Sequence, residues 1–196
     1  SSIKVVEKLE GVFRNKFNRK IDFSIANITK GVEEASLPGR FQVVNHKNVE
    51  FVLDVAHNPS SAQYFYNKLA NLPNKRNYAI FSILGNKDLA EVVAPFLNLI
   101  ENWRLLELDV PRAVAAELLQ KNLQNVAALD AGLKTGILKV DICKDILQFI
   151  DGLSQNNTER VVVFGSFHAV AMVLKVLKDE QINSRSSRNC NKKITN

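Results

Sequence analysis

The stretch from Glu50 to Gln63, Glu-Phe-Val-Leu-Asp-Val-Ala-His-Asn-Pro-Ser-Ser-Ala-Gln, narrows the choice of fold more than any other. Phe51 to Leu53 is an apolar run that reads as a buried strand, and it stops at Asp54. His57-Asn58-Pro59 follows two residues later. Asn58 suits a helix N-cap, and Pro59 suits the first helical position, where its missing N–H costs nothing. Ala62, Phe65, Tyr66, Leu69 and Leu72 then recur at helical spacing. The stretch is therefore a strand, a polar turn and a helix N-terminus. Ligands of open α/β sheets bind at the carboxyl ends of strands, and a helix N-terminus there offers free N–H groups and a positive dipole end to an anion. A phosphate-bearing ligand is the simplest occupant of such a turn.

The rest of the chain continues the alternation. Residues 41–45 and 50–55 can pair as a hairpin across His46-Lys47-Asn48, and a helix covers about 59–72. Strands are predicted at Tyr78–Leu84, about 102–108, weakly near 124–128, and most strongly at Val161-Val162-Val163-Phe164. Helices are predicted over about 88–99, 113–121, 141–151 and 168–179. Strand–helix alternation implies a doubly wound, mostly parallel sheet with helices on both faces. Ahead of it, residues 3–13 have helical apolar spacing, and Asp22 or Ser24 can cap a second short helix ending near Ala35. The expected organisation is a helical segment over 1–36, the α/β domain over 37–180 and a disordered basic tail over 181–196.

Charge distribution argues against nucleic acid. The net charge is +6, but residues 1–20 and 181–196 carry +4 each, leaving the intervening 160 residues at −2. Phosphate-backbone binding needs cations clustered on a folded surface, ideally among aromatics, and no such stripe is present. The apolar runs are too short for a membrane helix, and the first residues lack the pattern of a secretory signal. Cys143 and Cys190 are far apart, which fits a reducing cytosol better than a disulfide framework.

Four polar turns can carry chemistry: Arg40 in Ser-Leu-Pro-Gly-Arg, Asp54 to Asn58, Gly85-Asn86-Lys87-Asp88 and Gly165-Ser166-Phe167-His168. The last three each follow a predicted strand, so the topology gathers them on one sheet edge. Asp54 either accepts from a ribose or caps its own turn. His57 either meets a phosphate or is a hydrogen-bonded turn histidine. Lys87 either holds an anion as a point charge or is a solvated lysine. Ser166 either contacts an anion or is a plain N-cap. Arg40 is a hinge ion pair or a phosphate contact. There is no P-loop, no Gly-x-Gly-x-x-Gly fingerprint, no metal-ligand spacing and no Gly-x-Ser-x-Gly elbow.

Taken together, Ser-Leu-Pro-Gly-Arg-Phe-Gln (36–42), Leu-Asp-Val-Ala-His-Asn-Pro (53–59), Gly-Asn-Lys-Asp-Leu (85–89) and Val-Phe-Gly-Ser-Phe-His-Ala-Val-Ala (163–171) resemble one family. It is the bacterial bifunctional dihydrofolate synthase/folylpolyglutamate synthase of the Mur ligase superfamily, in its C-terminal domain. The resemblance covers about 25–180, with residues 1–35 weakly similar to the last helices of the family's central ATPase domain. It implies ATP-dependent addition of L-glutamate to dihydropteroate or tetrahydrofolate through an acyl phosphate. By it, Arg40, Asp54, His57 and Asn58 serve ATP, with His57 near the reacting centre. Lys87, Ser166 and His168 hold glutamate. The Mg2+ ligands and the P-loop belong to a central domain this chain does not contain, so the chain is expected to be a piece of a longer cytoplasmic enzyme and inactive alone. A stand-alone flavodoxin-like binding or signalling domain, or a cell-wall Mur ligase module, are the competing readings.

Overall fold

The structure is a computed structural model describing residues 24, 26–27, 30, 37–85, 89–130 and 138–192, the last ten of these as main chain. The chain divides into two compact units, Ser1–Leu37 and Pro38–Asn196. In the first, the Ser24 hydroxyl accepts the Asn27 N–H at 3.3 Å, so Ser24 is a helix cap. The predicted helix at 3–13 lies outside the described residues.

The second unit runs β1 (Gln42–His46), β2 (Val49–Leu53), α1 (Pro59–Ala70), β3 (Arg76–Phe81), α2 (Leu89–Val93) with a 3-10 turn at Ala94–Phe96, and β4 (Asn102–Leu106). It continues with α3 (Ala116–Leu129), β5 (Lys139–Cys143), α4 (Ile146–Asp151), β6 (Glu159–Phe164) and α5 (Phe167–Lys192). The six strands lie in the order β1-β2-β6-β3-β4-β5. Only the β1–β2 pair is antiparallel. Its two-residue turn holds Lys47 and Asn48 at φ 48° and 60°, the left-handed pair that matches hairpin twist. The doubly wound, mostly parallel sheet expected from the alternation is present, with its antiparallel hairpin at one edge.

β6 is central, and every residue of it is buried: the apolar run Val161–Phe164 as a strand covered on both faces must be, and Glu159 and Arg160 through side-chain hydrogen bonds. Phe164, its last residue, packs against Phe81, Phe96, Trp103 and Phe65 at ring separations of 4.8, 4.5, 5.9 and 5.9 Å. These rings form the core under α1, α2 and α3. Phe51, Leu53, Ile80, Val161 and Val163 face the opposite way, against α4 and α5.

Several elements differ from expectation. Residues 124–128 are not a strand but the second half of α3, because Leu119, Leu123 and Ala127 recur every four residues on one buried face. The missing strand is β5 (Lys139–Cys143), whose last three residues overlap the start of the helix expected over 141–151. Its Lys139-Val-Asp-Ile-Cys alternation belongs to an edge strand with one face on the core, and Val140 is buried between exposed neighbours. The helix expected over 141–151 shrinks to α4, capped by Asp145, which accepts the Leu147 and Gln148 N–H groups. α2 stops early because Pro95 cannot donate within a continuing helix. α5 does not end near 179. It continues to Lys192, so the residues read as a disordered tail are helical up to that point, with no proline or glycine after Gly165 to stop them.

Candidate functional site

The carboxyl ends of β2, β3 and β6 point the same way, and the turns that leave them build one polar edge. After β2, Asp54 sits 8% exposed. One carboxylate oxygen accepts the Phe41 N–H at 2.8 Å and the other the Ala56 N–H at 2.9 Å. Burial pushes its pKa above the ordinary carboxylate range, opposed by these two N–H groups and by the charges of Arg40 and Lys68. Asp54 therefore does cap its own turn, and it also fastens the Pro38–Phe41 turn to the end of β2.

His57 is exposed, with Nδ1 2.8 Å from the Val55 carbonyl oxygen. A carbonyl only accepts, so in the neutral ring Nδ1 carries the proton and Nε2 keeps its lone pair. Asn58 is the N-cap of α1. Its side-chain oxygen accepts the Ser61 N–H at 2.9 Å, and the Ser61 hydroxyl accepts the Asn58 N–H at 3.2 Å, a closed capping box. Pro59 occupies the first helical position, as the sequence predicts.

After β6, Gly165 turns the chain at φ +100°, and a Cβ there would lie 2.4 Å from the Ser82 carbonyl oxygen and 2.5 Å from the Phe81 ring. The Gly165 N–H donates to the Ala56 carbonyl at 2.9 Å, which ties the β6 turn to the β2 turn. Ser166 is buried and accepts the Ala169 N–H at 3.0 Å, so it is an N-cap of α5. Phe167 and His168 are exposed at the start of that helix. Arg40 reaches the same place, with its guanidinium carbon 5.9 Å from the centre of the Phe167 ring.

Two clefts open on this edge. One of about 310 Å³ is lined by His57, Leu84, Arg112, Gly165, Ser166, Phe167 and His168. Its neighbour, about 650 Å³, shares His57, Leu84 and Arg112 and adds Asn58, Gly85 and the start of α3. Volume alone does not mark them out, since a cleft of about 570 Å³ lies against Asn102, Arg104 and Phe149 beside α4. Their chemistry does: a guanidinium, two imidazoles and two helix N-termini line them, and among the described residues no carboxylate does. Such walls favour an anion.

Sequence reasoning missed Arg112, reading Val110-Pro111-Arg112 only as a turn. Its backbone is left-handed at φ 68°. The Gly85 N–H donates to the Arg112 carbonyl at 2.9 Å, and Leu84 bridges Ala113, so the post-β4 loop is sewn to the post-β3 loop. A basic residue beside a turn proline was the available signal, but nothing local announces that the loop crosses to the edge. The structure thus brings together Arg40, Asp54, His57, Asn58, Ser166 and His168. Lys87 lies outside the described residues. Among the described residues no group of three or more His, Cys, Asp or Glu side chains is gathered as a metal site would need, and no helix is long and apolar enough to cross a membrane.

Residues 39–167 match the family "Mur ligase, glutamate ligase domain". This chain belongs to that family. The resemblance carried by the four motifs is thereby borne out. The dihydrofolate synthase/folylpolyglutamate synthase of Escherichia coli K12 is 33% identical over 153 residues, covering 76% of this chain and 33% of the relative. Its counterpart from Buchnera aphidicola of Baizongia pistaciae is 27% identical, covering 78% and 33%. Among solved structures, E. coli FolC in complex with DHPP and ADP aligns with a TM-score of 0.65 at 30% identity, covering 82% of this chain and 36% of that one. The Yersinia pestis bifunctional enzyme complexed with AMPPNP and Mn ion aligns at 0.63 and 31%, covering 81% and 36%. The Mur ligase chain described here spans about a third of the length of the curated relatives it matches.

Proposed function

We infer that this domain forms the glutamate-accepting and nucleotide-closing part of an ATP-dependent ligase that joins L-glutamate to dihydropteroate or a folate. The observation that supports this best is the cleft pair walled by Arg112, His57 and His168, beside Arg40. The substrates on this reading are all anions: ATP, a pteroate or folate carboxylate, and glutamate.

The chemistry is transfer of the γ-phosphoryl group to the pteroate or folate carboxylate with release of ADP, then attack by the glutamate amine with release of phosphate and formation of an amide. The residues of this chain bind, orient and exclude water. Arg40 faces the phosphates from the 38–41 turn. Asp54 has lone pairs left beyond its two main-chain bonds with which to accept from the ribose. His57 presents Nε2 towards the reacting centre, where it can take a proton, and Asn58 stands beside it on the helix start. Arg112, Ser166, His168 and Lys87 hold the glutamate carboxylates, Arg112 being the addition to the set legible in the motifs. A closed site keeps water from a reactive acyl phosphate. A divalent metal such as Mg2+ has no carboxylate cluster to hold it among the described residues, so on this reading its ligands lie in another domain of the ligase.

The test is a coupled assay with ATP, dihydropteroate and L-glutamate, on this chain alone and mixed with the separately expressed amino-terminal two thirds of the E. coli relative. ADP release that needs both pieces and depends on glutamate is the expected result. ADP release by the amino-terminal piece that this chain neither raises nor makes glutamate-dependent overturns the reading.

A further inference from the structure

Phe167 opens α5 with its side chain 59% exposed, in a position where a helix start ordinarily carries polar groups. Nothing in the ligase chemistry above uses it. Its ring nevertheless has two polar neighbours, each from a different turn. The Arg40 guanidinium, from the Pro38–Phe41 turn, lies 5.9 Å from the ring centre. The His57 imidazole, from the β2–α1 turn, lies 6.3 Å away at 45°. Phe167 and His57 both line the smaller cleft.

We propose that Phe167 is a positioning residue whose exposed ring holds Arg40 and His57 as one preset unit beside the anion cleft. The ring face attracts a guanidinium electrostatically, so Arg40 loses rotamer freedom before any ligand arrives rather than when it binds. The same ring limits the swing of His57, whose Nδ1 bond to Val55 fixes the tautomer but leaves the ring plane to its neighbours. The backbone under Phe167 is itself rigid: Gly165 is bonded to Ala56, and Ser166 caps the helix. An aliphatic side chain at 167 would start the helix equally well but offers no ring face. What the preset pair then binds rests on the ligase reading; the presetting does not.

The test uses this chain with Phe167→Leu and Phe167→Trp. The first readout is 15N relaxation at Arg40 Nε, and the second is a titration with AMPPNP; thermal melting checks that each variant is folded. The proposal expects Phe167→Leu to melt with the wild type, to lower the order of Arg40 Nε, and to weaken AMPPNP binding about three- to fivefold. Phe167→Trp should restore both. Unchanged Arg40 order in Phe167→Leu overturns the proposal whatever the nucleotide does. Lowered order with unchanged AMPPNP affinity also overturns it, since the presetting would then serve nothing. Lowered order, rescued by Trp, in a chain whose wild type takes up no AMPPNP at all supports the positioning role and removes the nucleotide reading instead.

Discussion

The Asp54 carboxylate accepts the main-chain N–H of Phe41 at 2.8 Å, from thirteen residues away along the chain. Together with the Val55 N–H, which donates to the Gly39 carbonyl at 2.9 Å, this bond joins the turn that bears Arg40 to the strand end that bears His57. With the second bond, to Ala56, both carboxylate oxygens work for the fold. Asp54→Ala should therefore lower stability as well as any ligand affinity. A hydrogen bond to a charged group contributes about 1.5–3 kcal/mol, and the burial cost of Asp54 is removed with it, so a net loss of about 2 kcal/mol is expected in urea unfolding. A variant as stable as the wild type would show that the 38–41 turn does not depend on this carboxylate.

Gly165 is fixed by what surrounds it. At φ +100°, with a Cβ landing 2.4 Å from the Ser82 carbonyl oxygen, even alanine requires β3 and β6 to separate. Left-handed strain and overpacking of a closed core each cost about 1–3 kcal/mol. Gly165→Ala should lose about 3 kcal/mol or more and express largely as unfolded protein. Ser166→Ala, by contrast, should cost about 1 kcal/mol, the value of an N-cap, and stay folded. If the two variants melt together, the close approach to Ser82 is not what holds this turn.

At the other end of β2, Glu50 pairs with the buried Arg160 and, at 3.4 Å, with Lys75. Arg160 also donates to the Pro73 carbonyl at 2.8 Å. Burial pushes the Glu50 carboxyl up, but the hydrogen bond and charge of Arg160, joined by Lys75, hold it below the ordinary carboxylate range. Its folded pKa is thus lower than its unfolded one. The ionised pair stabilises the fold fully above the unfolded value of about 4.3, and that stability is lost as pH falls through the folded value. Glu50→Gln leaves Arg160 buried without its charge partner and should cost about 3 kcal/mol at pH 7. Between about pH 5 and 3 the wild type should lose stability faster than the variant, so the gap narrows. Parallel pH curves for the two proteins would refute the pairing as the source.

What the sequence made legible was local or strongly periodic. The Asn58 cap and Pro59 at the first helical position are adjacent in the chain, and the apolar run Val161–Phe164 has one reading only. The hairpin turn at Lys47-Asn48 sits between two alternating stretches. Missed features depend on partners distant in the chain. Lys139 to Cys143 alternates over too few residues to tell an edge strand from a helix face until β4 lies beside it. Ser166 was legible as a cap or an anion contact, and only the Ala169 N–H shows that it caps. The glycine at 165 is demanded by Ser82 and Phe81, more than eighty residues upstream. Arg112 looks like a turn residue because its place in the cleft comes from the Leu84–Ala113 bridge.

Arg112 separates stability from binding. Its φ of 68° is a conformation that a residue with a Cβ adopts only at a cost. Its guanidinium makes no hydrogen bond or ion pair with any of the described residues, so the fold gains little from it. Glycine is free at positive φ, and Arg112→Gly should raise stability by about 1 kcal/mol in urea unfolding, the size of the left-handed penalty it removes. The same change strips from the walls of both clefts the guanidinium that lines them among the described residues. Affinity for L-glutamate, read by chemical-shift titration, should then fall about tenfold or more, as the loss of a charge-assisted bond requires. Arg112→Lys keeps a charge but not the planar fork, so it should sit between the two in affinity and near the wild type in stability. A glycine variant that gains stability and keeps its glutamate affinity would make Arg112 a strained turn residue and nothing more. One that loses both would mean that the side chain braces the loop, and the weakened binding would then follow from the loop.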